Sequence, residues 1–410
     1  MRAQTFPLLL LLSLAAFPNG ASAQQAIAHK SVYTADLPKQ LPADLASSAR
    51  PVMPRLNAKE FPQSLFLRHN ALPSDGPTRP APGTTAGDDG TPANAQPSLN
   101  RVPNAYGNMS PFAPYTMSRV SASALGVTNL ASQVGVTSAP WRATGALYFK
   151  VGSATGACSA SMIRPGILVT AAHCVYDFGA KSNAGFHTNF RFYPALYANR
   201  APPYGIWTAT AEYISSSYYN GTDTCLSTGV FCNNDIAIIV MARNAKKLLP
   251  GRVVGWYGYG WNGYSFATSF GGETLASITQ LGYPVAFDKG YAMERNNGIG
   301  AYFTTGNLKN TLMGSPMTGG SSGGPWLVNF GTVPAMVSPA TTGSSPAMSV
   351  IGVTSWGYTT PGSELVGASW FGENVEFPKA AYLDSHKVNR GSGNIGFLIA
   401  QACTAYYDHC

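Results

Sequence analysis

Three short segments of the chain hold side chains that could act together as a base, an acid and a nucleophile. His173 follows one apolar run, Asp235 opens another, and Ser322 lies in the glycine-rich sequence GGSSGGP (319–325). An imidazole can take a proton from a serine hydroxyl while a carboxylate holds the imidazole in the required tautomer. The three side chains are therefore candidates for nucleophilic catalysis at a carbonyl carbon.

Each of these residues also has an ordinary structural interpretation. A lone histidine after a strand is commonly a satisfied structural residue, and a glycine/serine run is commonly a flexible turn. Asp235, however, would be costly to bury at the start of an apolar strand unless a partner such as a histidine N–H bonds it. Glycines also let the backbone curl so that N–H groups converge beside a serine hydroxyl and form an oxyanion hole. The catalytic interpretation accounts for all three segments together.

The order of these motifs resembles that of the chymotrypsin-fold serine endopeptidases. The resemblance covers roughly residues 138 to 380 and rests on four motifs, which are TAAHC (170–174), Asp235 with its IAI strand, GSSGGP (320–325) and Ser355-Trp356-Gly357. Four motifs in the expected order are a more specific signal than any one of them alone.

The resemblance implies a role for each matching residue. His173 would take the proton of Ser322 and later deliver it to the leaving amine, while Asp235 would stabilise the imidazolium. The N–H groups of Gly320 and Ser322 would face the developing oxyanion. The strand 355–357 would pair with the substrate main chain, so polypeptide substrates are expected.

Two departures from the trypsin-like branch concern the nucleophile motif. Ser321 stands where that branch has an aspartate that pairs with the newly cut N-terminus, and Thr318 stands where it has a cysteine. Both features are similar to the bacterial glutamyl-endopeptidase branch. Thr354, however, replaces the histidine that this second branch has before its Ser-Trp-Gly-type strand. Neither the usual activation switch nor glutamate specificity is therefore implied.

The expected primary specificity pocket carries no charge. Alignment to the nucleophile motif places Pro316 and Met317 at the base of the pocket and Gly357 at its mouth. A substrate cation buried there would need a carboxylate partner. We therefore expect a preference for uncharged residues, apolar or aromatic, unless Glu364 or Glu373 reaches the pocket wall.

Two other functions compete with this interpretation. The sequence GSSGG also satisfies the nucleophile elbow of α/β-hydrolase esterases, in which an acid and a histidine follow the serine; Asp384 with His386 or His409 would fill those roles. That fold needs a strand before Ser322 and a helix after it, and the flanking sequence favours neither. The other alternative is a non-catalytic, protease-like binding module, although no member of the triad is missing.

The elements that must position these residues are predicted to be β-strands. Among 410 residues only 11% are charged, while Gly (44), Pro (30) and Tyr (21) are frequent, which is typical of a β-rich secreted protein. The net charge of +8 is not clustered in basic runs, so nothing indicates nucleic-acid binding. Ten runs of β-forming residues favour a barrel or sandwich; they are 146–151, 161–170, 190–193, 206–214, 236–241, 252–257, 277–283, 301–304, 325–328 and 349–356.

The resemblance implies an all-β fold of two antiparallel six-stranded Greek-key barrels with a short C-terminal helix. The helix is also indicated by one apolar stripe near the C-terminus, formed by Ile395, Leu398, Ile399 and Ala402.

The N-terminal third is predicted to be processed. Residues 1–23 have the positive start, short apolar stretch and small-residue cleavage site of a signal peptide. Residues 24–130 are predicted to be a propeptide with a proline-rich linker, in which 72–114 should form neither a ladder nor a helix. Arg119-Val120 is a plausible maturation cut, and residues 131–410 are expected to form the protease domain. No later segment is apolar enough for a membrane anchor, and we expect a secreted monomer.

The six cysteines are expected to form disulfides, because an exported protein meets an oxidising compartment. Six cysteines allow fifteen connectivities, which spacing alone does not distinguish. The simplest pairing joins sequence neighbours, namely Cys158 with Cys174, Cys225 with Cys232 and Cys403 with Cys410. No Cys-x-x-Cys or His-Glu-x-x-His motif occurs, so neither a metal nor a cofactor is expected.

Overall fold

The computed structural model describes residues 25–33, 49–56, 105–108, 115–120, 135–197, 201–268, 274–331, 348–358, 365–378 and 381–410. Its strands are β1 (Ala26–Lys30), β2 (Ala49–Pro51), β3 (Arg55–Leu56), β4 (Ala105–Asn108), β5 (Tyr115–Arg119), β6 (Thr144–Val151), β7 (Ala154–Arg164), β8 (Ile167–Thr170), β9 (Thr188–Pro194), β10 (Trp207–Ser215), β11 (Cys225–Ser227), β12 (Val230–Cys232), β13 (Ala237–Met241), β14 (Gly258–Tyr259), β15 (Ala267–Thr268), β16 (Thr274–Gly282), β17 (Glu294–Thr305), β18 (Leu308–Gly314), β19 (Pro325–Val328), β20 (Ser349–Tyr358) and β21 (Leu365–Trp370). The α-helices are α1 (Ser216–Asn220), α2 (Pro250–Val254) and α3 (Gly393–Ala405).

Two closed antiparallel barrels of six strands each form the body of the protein. In the first barrel the order is β10-β13-β8-β7-β6-β9, and pairing of β9 with β10 closes the ring. In the second barrel the order is β16-β19-β20-β21-β18-β17, and pairing of β16 with β17 closes it. Within each ring, every strand therefore has a neighbour on both sides. The expected all-β fold of two six-stranded barrels is confirmed.

The apolar core explains why the strands lie where they do. Every residue of β13 is buried, because this continuous apolar run pairs with neighbours on both sides in the first barrel. The largest apolar cluster extends from the first barrel to Leu327 and Val350 of the second and to Ile395 of α3. All four residues of the predicted apolar stripe on α3 are at most 1% exposed. The predicted C-terminal helix is confirmed.

Short strands from the N-terminal region extend both barrels. Strand β1 pairs with β10, and the hairpin β4–β5 pairs with β17. The expectation that residues 72–114 form no ladder is therefore wrong at β4. No proline falls within Ala105–Asn108, and the edge of β5 that faces away from β17 is available to pair with it.

A second correction concerns residues 252–257, which were predicted as a strand. The chain is helical through Val254 in α2, which begins at Pro250 and is followed by Gly255 with φ +80°. Proline is favoured in the first helical turn, and a positive φ at glycine ends a helix readily. The two flanking residues therefore outweigh the β-forming side chains between them.

The three disulfides join the cysteines that are neighbours in sequence. The Cα–Cα distances are 6.3 Å for Cys158–Cys174, 4.0 Å for Cys225–Cys232 and 5.9 Å for Cys403–Cys410. Of the helices in the described ranges, none has the length and apolar character needed to cross a bilayer.

Candidate active site

His173 is presented by a single 3-10 turn, Ala172–Cys174, that follows β8. The disulfide from Cys174 to Cys158 ties this turn to β7. The flanking side chains Ala171 and Ala172 are fully buried, and His173 itself is 7% exposed. The turn is therefore anchored on both sides of the imidazole.

Asp235 lies one residue before the apolar run that contains β13, and its carboxylate accepts three hydrogen bonds. Oδ1 accepts the backbone N–H of His173 at 2.8 Å, and Oδ2 accepts from His173 Nδ1 at 2.7 Å. The hydroxyl of Ser355 donates to Oδ2 at 2.6 Å. A hydrogen bond to an ionised carboxylate requires the proton on Nδ1, and this tautomer leaves Nε2 as the nitrogen that can accept a proton.

The turn that carries Ser322 requires glycine at two positions. Gly320 has φ +96°, and a Cβ there would lie 2.5 Å from the carbonyl oxygen of Tyr283. Gly323 has φ +78°, and a Cβ there would lie 1.9 Å from Thr170 Oγ1. Neither position has room for a side chain, so the glycines predicted to shape this turn are needed by its geometry.

Both barrels hold the turn through its backbone. The N–H of Ser159 in β7 donates to the carbonyl of Ser322 at 2.7 Å. On the other side, Gly323 N–H donates to the carbonyl of Thr354 in β20 at 2.7 Å. The predicted nucleophile thus lies at the junction of the barrels, close to the strands that carry the other site residues.

The two neighbouring serines differ in what their hydroxyls contact. Ser321 Oγ donates to the Thr318 carbonyl at 2.7 Å. Ser322 Oγ and His173 Nε2 are both buried, and neither has a hydrogen-bond partner within the described ranges. Ser321 is therefore occupied by a structural bond, whereas Ser322 and the basic nitrogen of His173 are free for other partners.

The residues expected at the base of the specificity pocket follow β18. Pro316 is half-buried, and Met317 is 3% exposed and packs with Tyr115 and Met117 of β5. The carboxylate of Glu373 accepts from Ser392, the residue before α3. Glu364 lies outside the described residues.

The substrate-binding strand predicted at 355–357 is part of β20. Trp356 is fully buried, with its indole N–H bonded to Asn310 Oδ1 at 3.1 Å and its ring stacked on Phe231. Its side chain therefore serves the core, and only the main chain of this strand is available to a substrate. Gly357 is buried beside Met53 of the N-terminal region.

A buried polar network beside the pocket was not anticipated from the sequence. Gln280 donates to Thr354 Oγ1 at 2.9 Å and accepts from Ser315 Oγ at 2.7 Å. The indole N–H of Trp326 also donates to Thr354 Oγ1, at 3.0 Å. Thr354 therefore accepts two side-chain hydrogen bonds in the core. It stands at the position aligned above with a histidine of the glutamyl-endopeptidase branch.

The described residues contain two clusters close enough to resemble metal sites, and neither has the right chemistry. They are Cys158 with His173 and Cys174, and Asp223 with Cys225 and Cys232. All four cysteines are disulfide-bonded and offer no thiolate. These side chains do not fit a metal ion.

Comparison with known proteins identifies relatives of this chain. A protein-family model described as Trypsin matches residues 132–368. The "Extracellular metalloprotease" of Bacillus subtilis (strain 168) is 31% identical over 125 residues, which are 30% of this chain and 34% of that protein. The chain therefore spans about a third of the length of that curated relative.

Three solved structures are similar to part of this chain. The protease Anisep from Arthrobacter nicotinovorans is 24% identical, with 57% of this chain and 92% of that chain covered and a TM-score of 0.43. The thermostable serine protease AL20 from an extremophilic microorganism is 22% identical, with 56% and 92% covered and a TM-score of 0.43. A Glu endopeptidase in complex with MPD is 19% identical, with 57% and 86% covered and a TM-score of 0.39.

Proposed function

Because the chain belongs to the trypsin family of serine proteases, we propose that it is a secreted endopeptidase that cuts polypeptides through Ser322, His173 and Asp235. The observation that carries the proposal is the set of hydrogen bonds to the buried carboxylate of Asp235. They orient the imidazole and keep its proton on Nδ1, so that Nε2 can act as a base.

Acylation then follows from the groups present. Ser322 Oγ attacks the scissile carbonyl carbon while His173 Nε2 takes the hydroxyl proton. The N–H groups of Gly320 and Ser322 donate to the oxyanion, a contribution commonly worth about 3 kcal/mol per donor. When the C–N bond breaks, the imidazolium returns its proton to the leaving amine, and an ester to Ser322 remains.

Deacylation repeats the sequence with water. His173 takes a proton from water, the hydroxide oxygen attacks the ester carbon, and the C–O bond to Ser322 breaks. The proton on the imidazolium returns to Ser322 Oγ, and the carboxylic acid product leaves. The main chain of strand 355–357 would hold the substrate in an extended conformation during both steps.

The pocket proposed for the substrate side chain before the cut is uncharged. Met317 is buried, and the carboxylate of Glu373 is bonded to Ser392, the residue before α3. With no carboxylate from these residues to balance a substrate cation, cleavage after apolar or aromatic residues is expected.

Export and processing belong to the same proposal. Three disulfides are typical of a protein that matures outside the cytosol. We propose that residues 1–23 direct export, that the region 24–130 is removed, and that residues 131–410 act as a monomeric protease domain. The strands β1 to β5 belong to the region proposed for removal, and Val120 at the proposed cut is 4% exposed.

The structure gives no support to an esterase of the α/β-hydrolase type. Ser322 is followed by strand β19 where that fold needs a helix. Asp384, the acid nominated for that mechanism, forms a buried ion pair with Arg390 at 2.6 Å.

The proposed nucleophile is tested by comparing Ser322→Ala with the matched variant Ser321→Ala. Purified processed protein should label with a fluorophosphonate and cleave peptides with Phe or Leu before the cut. Ser322→Ala should lose labelling and at least about a thousandfold in kcat, because the triad acts as a unit. Ser321→Ala should retain both. Labelling that maps to Ser321, or full activity in Ser322→Ala, would contradict the assignment.

A further inference from the structure

Residues 49–56 of the N-terminal region cross the candidate active site; we call this segment the strap. At its start, β2 pairs with β7, and Val52 N–H donates to the carbonyl of Ala157 at 3.4 Å. Ala157 precedes Cys158, whose disulfide holds the turn of His173. The first part of the strap thus lies on the strand that a disulfide ties to the turn of the proposed base.

The second half of the strap lies on the strand proposed to bind substrate. Strand β3 pairs with β20, with Arg55 opposite Gly357. The N–H of Gly357 donates to the carbonyl of Pro54 at 3.1 Å. The strap therefore takes a main-chain donor that an extended substrate would need.

The side chains of the strap fit both walls of the cleft. Pro51 approaches the nucleophile turn so closely that a Cβ at Gly319 would lie 2.9 Å from Pro51 Cβ. Val52 packs on the apolar cluster of the first barrel, and Met53 packs on that of the second. Because neighbouring side chains of an extended segment point to opposite sides, one short peptide can contact both barrels.

The burial of the proposed nucleophile and base is consistent with a covered cleft. Ser322 is fully buried, and its Oγ and the Nε2 of His173 are both shielded without a hydrogen-bond partner in the described ranges. The strap is anchored to β7 at Ala157 and to β20 at Gly357, and between these anchors Pro51 approaches Gly319 of the nucleophile turn. Residues Val52 and Met53 span the distance between the two anchors.

We propose that the strap is an intramolecular ligand of the substrate cleft and blocks polypeptide substrates until it is displaced or cut away. The inference rests on the proposed function, because it takes the same cleft as the substrate site. The strap pairs in parallel with both barrels, through β2 with β7 and through β3 with β20. Pro51 and Pro54 add no N–H donors and restrict the backbone, so the strap is suited to occupy the cleft as a stiff, extended peptide.

The first test uses the full chain with Val52→Asp and Met53→Asp together. Two charges at these half-buried positions, which pack on apolar clusters, should displace the strap, so the rate of fluorophosphonate labelling at Ser322 should rise at least about tenfold. Lys30→Asp is the control, because it makes the same change of −2 in net charge at an exposed residue of β1, which pairs with β10 and not with the strands of the cleft. A synthetic peptide of residues 49–56 should slow labelling of the double variant again, whereas a shuffled peptide of the same composition should not. Equal labelling rates in the unsubstituted full chain, the double variant and Lys30→Asp would overturn the proposal.

A second readout does not depend on catalysis. In a full-length Ser322→Ala background, hydrogen exchange of the segment 353–358 should be slow and should become faster in the double strap variant. Unchanged exchange would overturn the strap even if labelling varied. Faster exchange together with no labelling in any form, processed protein included, would support the strap and contradict the proposed chemistry.

Discussion

Two buried carboxyl groups, those of Asp235 and Glu294, differ in how well their negative charge is compensated. Asp235 is 1% exposed and accepts three hydrogen bonds from His173 and Ser355. Glu294 is 4% exposed, and its nearest cation, Arg119, forms a closer ion pair with Asp288. Burial is the main reason that the pKa of Glu294 is raised to about 8, and repulsion from Asp288 adds to the shift while Arg119 opposes it.

This shift predicts that Glu294 makes stability depend on pH. Its folded pKa lies above the unfolded value, so its stabilising contribution is complete below about pH 4.5 and is lost as pH rises to about 8. In a full-length Ser322→Ala background, Glu294→Gln should therefore show a smaller decline in the free energy of unfolding across this range than its parent. Urea unfolding at several pH values measures the difference. If the free energy of unfolding of Glu294→Gln declined as steeply as that of the parent, Glu294 would have no such role. The same conclusion would follow if the control Glu373→Gln reduced the decline equally.

At the residue scale, the sequence suggests candidates for those side chains that belong to local motifs. His173, Asp235 and Ser322 each lie in a short segment with its own composition, so they could be found without knowing the fold. Gln280 could not, because its partners Ser315 and Thr354 are 35 and 74 residues away and nothing local distinguishes it. Such a network is created by tertiary packing and not by a motif.

Among the elements, the turn that presents His173 depends on its link to β7. The disulfide Cys158–Cys174 closes a sequence separation of 16, which is worth about 3 kcal/mol in the loop-entropy model. We expect the double substitution Cys158→Ser and Cys174→Ser to lower the free energy of unfolding by about this amount. It should also lower kcat, because the turn that carries His173 loses an anchor.

A matched control is provided by the C-terminal disulfide. Cys403 and Cys410 have a separation of 7 and lie on and after α3, outside the candidate site. Replacing both with Ser should cost stability and leave kcat of the remaining folded protein unchanged. Peptide hydrolysis at a temperature where both variants are folded separates the two effects. If the first pair of substitutions reduced stability alone, the disulfide would have no role in positioning His173.

The elements themselves were only partly predictable. The apolar run of β13 and the stripe of α3 identify one strand and one helix, because each has a clear hydrophobic pattern over its length. The helix α2 was missed since Pro250 and Gly255 set its ends while β-forming residues fill it. β4 was missed because it depends on the free edge of β5, and no pattern within β4 reveals that edge.

On the scale of the whole molecule, the N-terminal region adds strands to both barrels as well as covering the cleft. Glu212 of β10 is fully buried, and burial raises its pKa. Its carboxylate is bonded by His29 of β1 and by Ser31 just beyond that strand. A carboxyl group inside the first barrel is thus satisfied by residues that lie more than 170 positions earlier in the chain. Amino-acid composition can indicate that the N-terminal region contains a linker, but it does not reveal hydrogen bonds between residues so far apart in the chain.

The close approach of Gly323 to Thr170 and Ser159 restricts position 323 more than position 170. A Cβ at Gly323 would lie 1.9 Å from Thr170 Oγ1 and 2.4 Å from the carbonyl oxygen of Ser159, so a smaller residue at 170 removes only the first clash. In a library that varies positions 170 and 323 together and is sorted for peptide hydrolysis, every active clone should therefore keep glycine at 323, while serine or alanine is tolerated at 170. Active clones with alanine at 323 would show that the backbone can move apart there. The glycine of the nucleophile turn is therefore fixed by the backbone of the first barrel, whereas the side chain at 170 can vary without a compensating change at 323.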